Sequence, residues 1–146
     1  MTAEELLQRY AAGERDFRGV ELEGTDLSGA DLSGANLSRA NLSFSNLSGA
    51  DLSGANLSRA DMLEANLSVA RLGGADFSYA VLNATKLIST NWKCANITQA
   101  EIMDADFTNA NLQGAIGSFG CAHSAFLQNT IWWNGDLVVG PEIIDA

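Results

Sequence analysis

The residue types that most often carry chemistry are sparse in this sequence of 146 residues. It has one histidine, His123, and two cysteines, Cys94 and Cys121, so no cluster of His and Cys has the spacing of metal ligands. The glycines form no phosphate-binding loop between a strand and a helix. Catalytic chemistry would also need carboxylates in a cleft where their pKa values are shifted. We therefore predict no enzyme activity and no catalytic, cofactor or metal site.

The charge balance limits the partners. Asp and Glu number 18 against 8 Lys and Arg, which gives a net charge of −10. A chain this acidic is not expected to bind nucleic acid directly or an anionic membrane through its overall charge. It has no apolar run of about 18 residues and no basic start followed by an apolar stretch, so we expect a cytoplasmic protein.

The positions of the remaining residues follow a repeat of five. A bulky apolar residue occupies every fifth position from Phe17 to Leu112 without an insertion. A small residue, usually Ala, lies two positions earlier, Asp or Asn lies between them, and Ser commonly follows. A period of five matches neither a helix nor a strand, because these need 3.6 and 2. The bulky residues can share one interior only if the chain turns a corner in every repeat.

A longer period gives the number of corners. Residues 28–40 and 48–60 both read SGADLSGANLSRA, which is self-similarity at 20 residues. We therefore expect coils of four repeats, stacked as in other solenoids, with Leu and Ala facing inward. The sequence predicts an all-β solenoid of about five regular coils plus an irregular one.

Both ends of the solenoid are expected to be covered. A capping box at Thr2 and Glu5 predicts a helix whose apolar residues are Leu6, Leu7 and Tyr10. After Ala115 the apolar residues fall one position earlier in the repeat, at Ile116, Cys121, Phe126 and Ile131, so we predict a slip of one residue and an irregular last coil. Residues 130–139 read as a hairpin that turns at Asn134-Gly135. The predicted organisation is a capping helix over 1–14, a solenoid over 15–114 and a C-terminal cap over 115–146, in a monomer.

The repeats Ala30-Asp31-Leu32-Ser33-Gly34 and Ala35-Asn36-Leu37-Ser38-Arg39 resemble the pentapeptide repeat family. The resemblance covers roughly residues 15–114 and implies a right-handed quadrilateral parallel β-helix. The opening resembles the N-terminal capping helix of cyanobacterial members. Thr or Ser replaces Ala at positions 25, 45, 85 and 90, and Trp92 is larger than the usual bulky residue. We expect a local distortion at residues 88–93.

One side of the predicted solenoid differs from the others. Its outward positions carry acidic and apolar residues and no Lys or Arg, whereas Ser, Gly and Asn dominate elsewhere. Exposed apolar groups among acids can mark a partner site; alternatively, outward positions vary freely because the core alone defines the fold. The candidate partner face consists of Glu21, Glu23, Phe44, Asp61, Leu63, Glu64, Val81, Glu101, Met103 and Asp104.

These observations favour a non-catalytic scaffold that binds an unidentified protein. An alternative comes from the family resemblance, since some members inhibit DNA gyrase by resembling the negatively charged rod of DNA. For the cysteines, the predicted slip places Cys94 outward and Cys121 inward, which favours two reduced thiols; a disulfide that clamps the C-terminal cap is the other possibility.

Overall fold

The computed structural model describes residues 1–145. It contains one helix, α1 (Ala3–Ala11), and four short strands. The strands lie near the C-terminus: β1 (Ala125–Leu127), β2 (Thr130–Ile131), β3 (Leu137–Val138) and β4 (Glu142–Ile144). β1 pairs with β4 and β2 pairs with β3, both antiparallel. The chain between α1 and β1 forms a solenoid.

Each coil of the solenoid contains 20 residues. Parallel bridges join one residue to the residue 20 positions later, from Asp16 with Asn36 to Asn111 with Ile131. The bulky residues also donate to the next coil: the N–H of Leu52 bonds the carbonyl of Arg71 at 2.8 Å. Four pentapeptides therefore complete one coil. The right-handed sense of the coil stays a prediction.

The solenoid interior consists of the bulky and the small residues of the repeats. Every bulky residue from Phe17 to Leu112 is at most 1% exposed. The alanines two positions earlier are buried beside them, as Ala50 is beside Leu52. Each fully buried Leu stabilises the fold by about 1.5–3 kcal/mol before ordering costs. Because every repeat supplies one such side chain, the core is continuous along the axis.

Polar residues of the repeat form the corners. The Oδ1 atom of Asp31 accepts the N–H of Ser33 at 3.0 Å, and Asn56 bonds Ser58 in the same way. Such Asx turns satisfy backbone groups that a sharp corner leaves unpaired. The next residue has a positive φ, 68° at Gly34 and 60° at Arg39. Asp or Asn, Ser and Gly therefore recur because each supports the same bend.

The predicted slip after Ala115 is wrong. Ile116 and Cys121 continue the parallel ladder, bridged to Asn96 and Glu101, and thus take the place of the earlier Asp and Asn residues. The inward phase is unchanged, since Leu127 is 3% exposed whereas Ile116 is 60% exposed. The prediction failed because residues 117 and 122 are Gly and Ala where a bulky residue is expected.

Packing around Gly117 explains the irregular coil. A Cβ atom at Gly117 would lie 2.3 Å from the Oγ1 atom of Thr98, so only glycine fits there. Phe119 instead supplies the aromatic group and lies 5.9 Å from Phe107 and 6.3 Å from Trp132, between ring centroids. Cys121 is half-buried rather than inward, and it and Cys94 are free thiols.

Helix α1 covers the first coil. Thr2 Oγ1 accepts the N–H of Glu5 at 3.1 Å, and the Glu5 carboxylate accepts the N–H of Thr2, which forms the capping box. Leu6 is buried in the core, and the hydroxyl of Tyr10 donates to the carbonyl of Ser33 at 2.7 Å. Apolar packing and this bond hold the helix against the solenoid.

The C-terminal segment forms the predicted hairpin between β2 and β3. Thr130 pairs with Val138, and the N–H of Trp132 donates to the carbonyl of Asp136 at 2.8 Å. The connection is thus a three-residue loop that ends at Gly135 (φ 91°), rather than a two-residue Asn-Gly turn. The parallel ladder passes residue 114 without a break, so the structure shows no boundary there.

Trp92 is accommodated by its neighbours. Its ring lies 4.7 Å from Phe77, and its Nε1–H donates to Thr90 Oγ1 at 2.7 Å. Thr90 in turn donates to the carbonyl of Leu87. Thr therefore replaces Ala because a buried indole N–H requires an acceptor. The expected distortion is small: the ladder persists, with a long bond of 3.4 Å at the N–H of Cys94.

We predict that Leu52→Ala lowers the free energy of unfolding by about 2–5 kcal/mol, because it leaves a cavity in the continuous core. The adjacent Ser53→Ala is the control and should change it by less than about 0.5 kcal/mol. Urea unfolding measures both. Equal effects of the two substitutions would contradict the inward orientation of Leu52.

Thr90→Ala should lower the free energy of unfolding by about 1–3 kcal/mol, because it leaves the Trp92 indole N–H buried without an acceptor. Thr90→Ser retains the hydroxyl and should recover most of the loss. Thermal unfolding and the near-UV signal of Trp92 provide the measurement. A Ser variant as unstable as the Ala variant would show that the methyl group, not the hydroxyl, matters.

Asp31 should make stability depend on pH. Hydrogen bonds from the Ser33 hydroxyl and N–H lower the pKa of the Asp31 carboxyl. Since the unfolded pKa is about 3.9, its contribution is complete above that pH and is lost as the pH falls through the folded pKa. Asp31→Asn retains an acceptor oxygen but cannot ionise. Urea unfolding should give the wild type a higher free energy of unfolding than Asp31→Asn at pH 6. The difference should shrink toward pH 2, and a difference that is constant with pH would refute the prediction.

Candidate functional site

The ten candidate residues lie on one side of the solenoid, which we call the acidic-apolar side. The inward residues of this side are Leu22, Leu42, Met62, Leu82 and Ile102. Its outward residues form three columns that run along the axis, with one residue from each coil in each column. In coil order, the columns are Glu21, Asn41, Asp61, Val81 and Glu101; Glu23, Ser43, Leu63, Asn83 and Met103; and Gly24, Phe44, Glu64, Ala84 and Asp104.

Apolar groups on this side are less exposed than expected. Phe44 is 51% exposed, but Leu63, Val81 and Met103 are half-buried, which corrects the expectation that all four are exposed. The reason is the close spacing of the coils, since side chains stacked about 4.8 Å apart within one column cover one another. The Phe44 side chain stays exposed because it lies at a corner with a positive φ of 58°.

Two acidic residues of this side occupy the same corner position as Phe44 and are therefore exposed. Glu64 and Asp104 have φ values of 52° and 57°, and both are exposed. Left-handed backbone costs a residue with a side chain about 1–2 kcal/mol. The coils above and below hold it in place, as the N–H of Glu64 donates to the carbonyl of Asn83 at 3.0 Å. Acidic groups are thus presented on a rigid backbone.

Two asparagines link the coils through carboxylates. Asn41 Nδ2 donates to Glu21 Oε2 at 3.0 Å, and Asn83 Nδ2 donates to Glu101 Oε2 at 3.1 Å. Asn83 Oδ1 also accepts the N–H of Met103 at 2.9 Å. The sequence reasoning missed both asparagines. Asn41 could have been found from the period of 20, because it lies 20 residues, or one coil, after Glu21.

Among the described residues, no Lys or Arg forms an ion pair with these acids, and the nearest cation recorded on this side is the N-terminal ammonium, which donates to the carbonyl of Glu21 at 3.3 Å. Within residues 1–145 the ion pairs are Arg9 with Glu14, Arg18 with Asp16 and Arg71 with Asp51, and none involves the acidic-apolar side. Glu21, Glu23, Asp61 and Glu64 lie within one coil of Phe44 and supply a local negative field there. Glu101 and Asp104 extend the acidic surface along the same side. This arrangement suits the attraction of a cationic surface that also offers an apolar group.

In residues 1–145, no group of three or more His, Cys, Asp and Glu is placed to hold a metal ion. The only helix in this range, α1, is too short and too polar to cross a membrane. His123 is exposed beyond the last coil of the acidic-apolar side, in the column of Leu63 and Met103.

Comparison with known proteins places the repeats in a family. The model for pentapeptide repeats matches eight copies, over residues 16–54, 35–74, 50–87 and 80–116. Among curated proteins, none matches the chain.

Solved structures include several similar proteins. A pentapeptide repeat protein from the thylakoid lumen of Arabidopsis thaliana is 33% identical, over 68% of this chain and 69% of its own, with a TM-score of 0.66. One from Nostoc PCC 7120 is 35% identical, over 80% of this chain and 86% of its own, with a TM-score of 0.33. HetL, involved in regulating heterocyst differentiation in Nostoc sp. PCC 7120, is 24% identical, over 94% of this chain and 100% of its own, with a TM-score of 0.42. The family match extends over more than half of the sequence, and the chain therefore belongs to the pentapeptide repeat family.

Proposed function

We propose that the protein is a non-catalytic scaffold whose acidic-apolar side binds a protein partner. One observation carries the proposal: six carboxylates that form no ion pair in residues 1–145 lie on the same side as an exposed Phe44, four of them within one coil of it. Exposed aromatic groups are common anchors at interfaces, and surrounding charge sets orientation and the rate of encounter.

The backbone of this side supports the proposal because hydrogen bonds to the next coil and buried residues behind it fix its position. Phe44 N–H donates to the carbonyl of Leu63 at 2.8 Å, and Leu42 behind it is fully buried. A preorganised surface loses little conformational freedom on binding, which favours affinity. The expected partner presents Lys or Arg residues around an apolar recess that accepts the Phe44 ring.

Three further features belong to this proposal. The protein acts in the cytoplasm, it is a monomer because α1 and the C-terminal strands cover the solenoid ends, and it has no resident cofactor. The right-handed quadrilateral form implied by the family gives it the shape of a short rod.

A second candidate function is that of a DNA mimic that inhibits or modulates a DNA-binding protein such as DNA gyrase. The net charge of −10 favours it. Arg39 and Arg59 weigh against it, because they interrupt the negative surface on the neighbouring side with two stacked cations.

Substitution of Phe44 and Leu63 should abolish partner binding. We predict that Phe44→Ser/Leu63→Ser loses the protein that the wild type captures from the native cell extract, measured by quantitative mass spectrometry. The matched control is Val69→Ser/Ile88→Ser on another side, where the N–H of Val69 donates to the carbonyl of Ile88 at 2.8 Å in the same geometry. The control should capture the same protein as the wild type.

Thermal unfolding must show that the two double variants are equally folded. Identical capture by both would refute the assignment of the acidic-apolar side. A gyrase supercoiling assay separates the second function: the scaffold proposal predicts no inhibition, and inhibition that weakens with added salt would favour the DNA mimic.

A further inference from the structure

A cleft between α1 and the solenoid gathers half of the positive charge of the chain. Its volume is about 800 Å³, and Arg9, Arg18, Arg39 and Arg59 line it. These are four of the 8 basic residues in a chain with a net charge of −10. We call this feature the arginine cleft. It lies on the side whose inward residues include Phe17 and Leu37, next to the acidic-apolar side.

Two of the four arginines are paired with carboxylates. Arg9 forms an ion pair with Glu14, with an Nε to Oε2 distance of 2.6 Å, and its guanidinium carbon lies 5.5 Å from the centre of the Phe17 ring. Arg18 bonds both carboxylate oxygens of Asp16 at 2.8 Å. Each of these arginines is thus paired with a carboxylate, and the two pairs contribute no net charge.

The other two arginines have no such partner. Within residues 1–145, neither Arg39 nor Arg59 forms an ion pair. The Arg59 guanidinium instead lies over the Tyr79 ring, 4.9 Å from its centre, which restrains its direction. The cleft thus carries two uncompensated positive charges.

The ladder places the backbones of these two arginines in neighbouring coils. Arg39 N–H donates to the carbonyl of Ser58, and Arg59 N–H donates to the carbonyl of Ser78, both at 2.9 Å. Arg39 and Arg59 therefore lie in one column, one coil or about 4.8 Å apart at the backbone. An anion with groups that reach both guanidiniums would be attracted by two positive charges that no carboxylate pairs with.

The chemistry of the lining indicates the kind of anion. Arginine presents a planar fork of donors that matches phosphate and carboxylate oxygens, and neither lysine of the chain lines the cleft. Ser38 and Ser58 also line the cleft and add hydroxyl donors. The volume lies within the range of small-molecule sites. Two guanidiniums from neighbouring coils favour a ligand with two linked oxyanion groups, one for each arginine.

We propose that the arginine cleft binds a small polyphosphate, with Arg39 and Arg59 each holding one phosphate group. This site is separate from the acidic-apolar side and does not depend on the function proposed for it. Phosphate is favoured over carboxylate because a terminal phosphate group carries more charge than a carboxylate at neutral pH and offers three oxygens to the guanidinium and serine donors.

Isothermal titration calorimetry with inorganic tripolyphosphate tests the site at low salt, where the interaction is least screened. The wild type should bind it, and Arg39→Gln/Arg59→Gln should weaken binding at least about tenfold, which corresponds to 1.4 kcal/mol. The control Lys86→Gln/Lys93→Gln removes the same charge outside the cleft and should bind like the wild type. Citrate should bind the wild type at least about tenfold more weakly than tripolyphosphate.

Three results would overturn the proposal: no binding by the wild type, equal loss in both double variants, or equal affinity for citrate and tripolyphosphate. Equal loss would mean that only net charge matters. A ligand-dependent rise in the unfolding temperature provides a second readout, expected for the wild type and the lysine control and smaller in Arg39→Gln/Arg59→Gln at the same ligand concentration. Capture of a partner by the acidic-apolar side is measured independently, so either proposal can fail alone.

Discussion

The whole structure depends on one geometric constraint: each pentapeptide can send only one bulky side chain to the axis, and the coil must close after four of them. Closure aligns every residue with the residue 20 positions later, so backbone groups of adjacent coils pair along the full ladder. The buried leucines and the ladder are thus two results of the same bend. Without the bend, a residue such as Leu52 would have no interior to enter.

The constraint also explains where the chain is free to vary. Inward positions accept only residues that fill or fit the narrow interior, as Trp92 does with the help of Thr90. Corner positions need a positive φ but no particular side chain, so they range from Gly34 to Phe44 and Arg59. The outward columns are therefore the part of this architecture that can vary in sequence, and their side chains lie at a regular spacing on a fixed backbone.

Most of the fold could be predicted from sequence because the period of five and the period of 20 are nearly unbroken. The capping box at Thr2 and Glu5 and the hairpin after Thr130 were equally readable, since each depends on a local pattern. The phase after Ala115 was not, because Gly117 removes the bulky residue that marks it. The acceptor role of Thr90 was missed for another reason, since it depends on the buried indole beside it.

The candidate site was only partly predictable. Folding the sequence by 20 gathers Glu21, Asp61 and Glu101 in one column, but it does not reveal that Leu63 is half-buried by its stacked neighbours. The arginine cleft was beyond a repeat-based reading, because Arg9 belongs to α1 and reaches the cleft through the docking of the helix.

The most direct test of the central constraint is a solution NMR measurement of backbone contacts in the isotopically labelled protein. Asp61, Val81 and Glu101 are suitable because their surroundings in the repeat are distinctive. Closure after four repeats predicts nuclear Overhauser contacts from Val81 to residues 61 and 101, one coil to either side. Contacts at separations of 15 or 25 residues, or a helical pattern across this region, would contradict it.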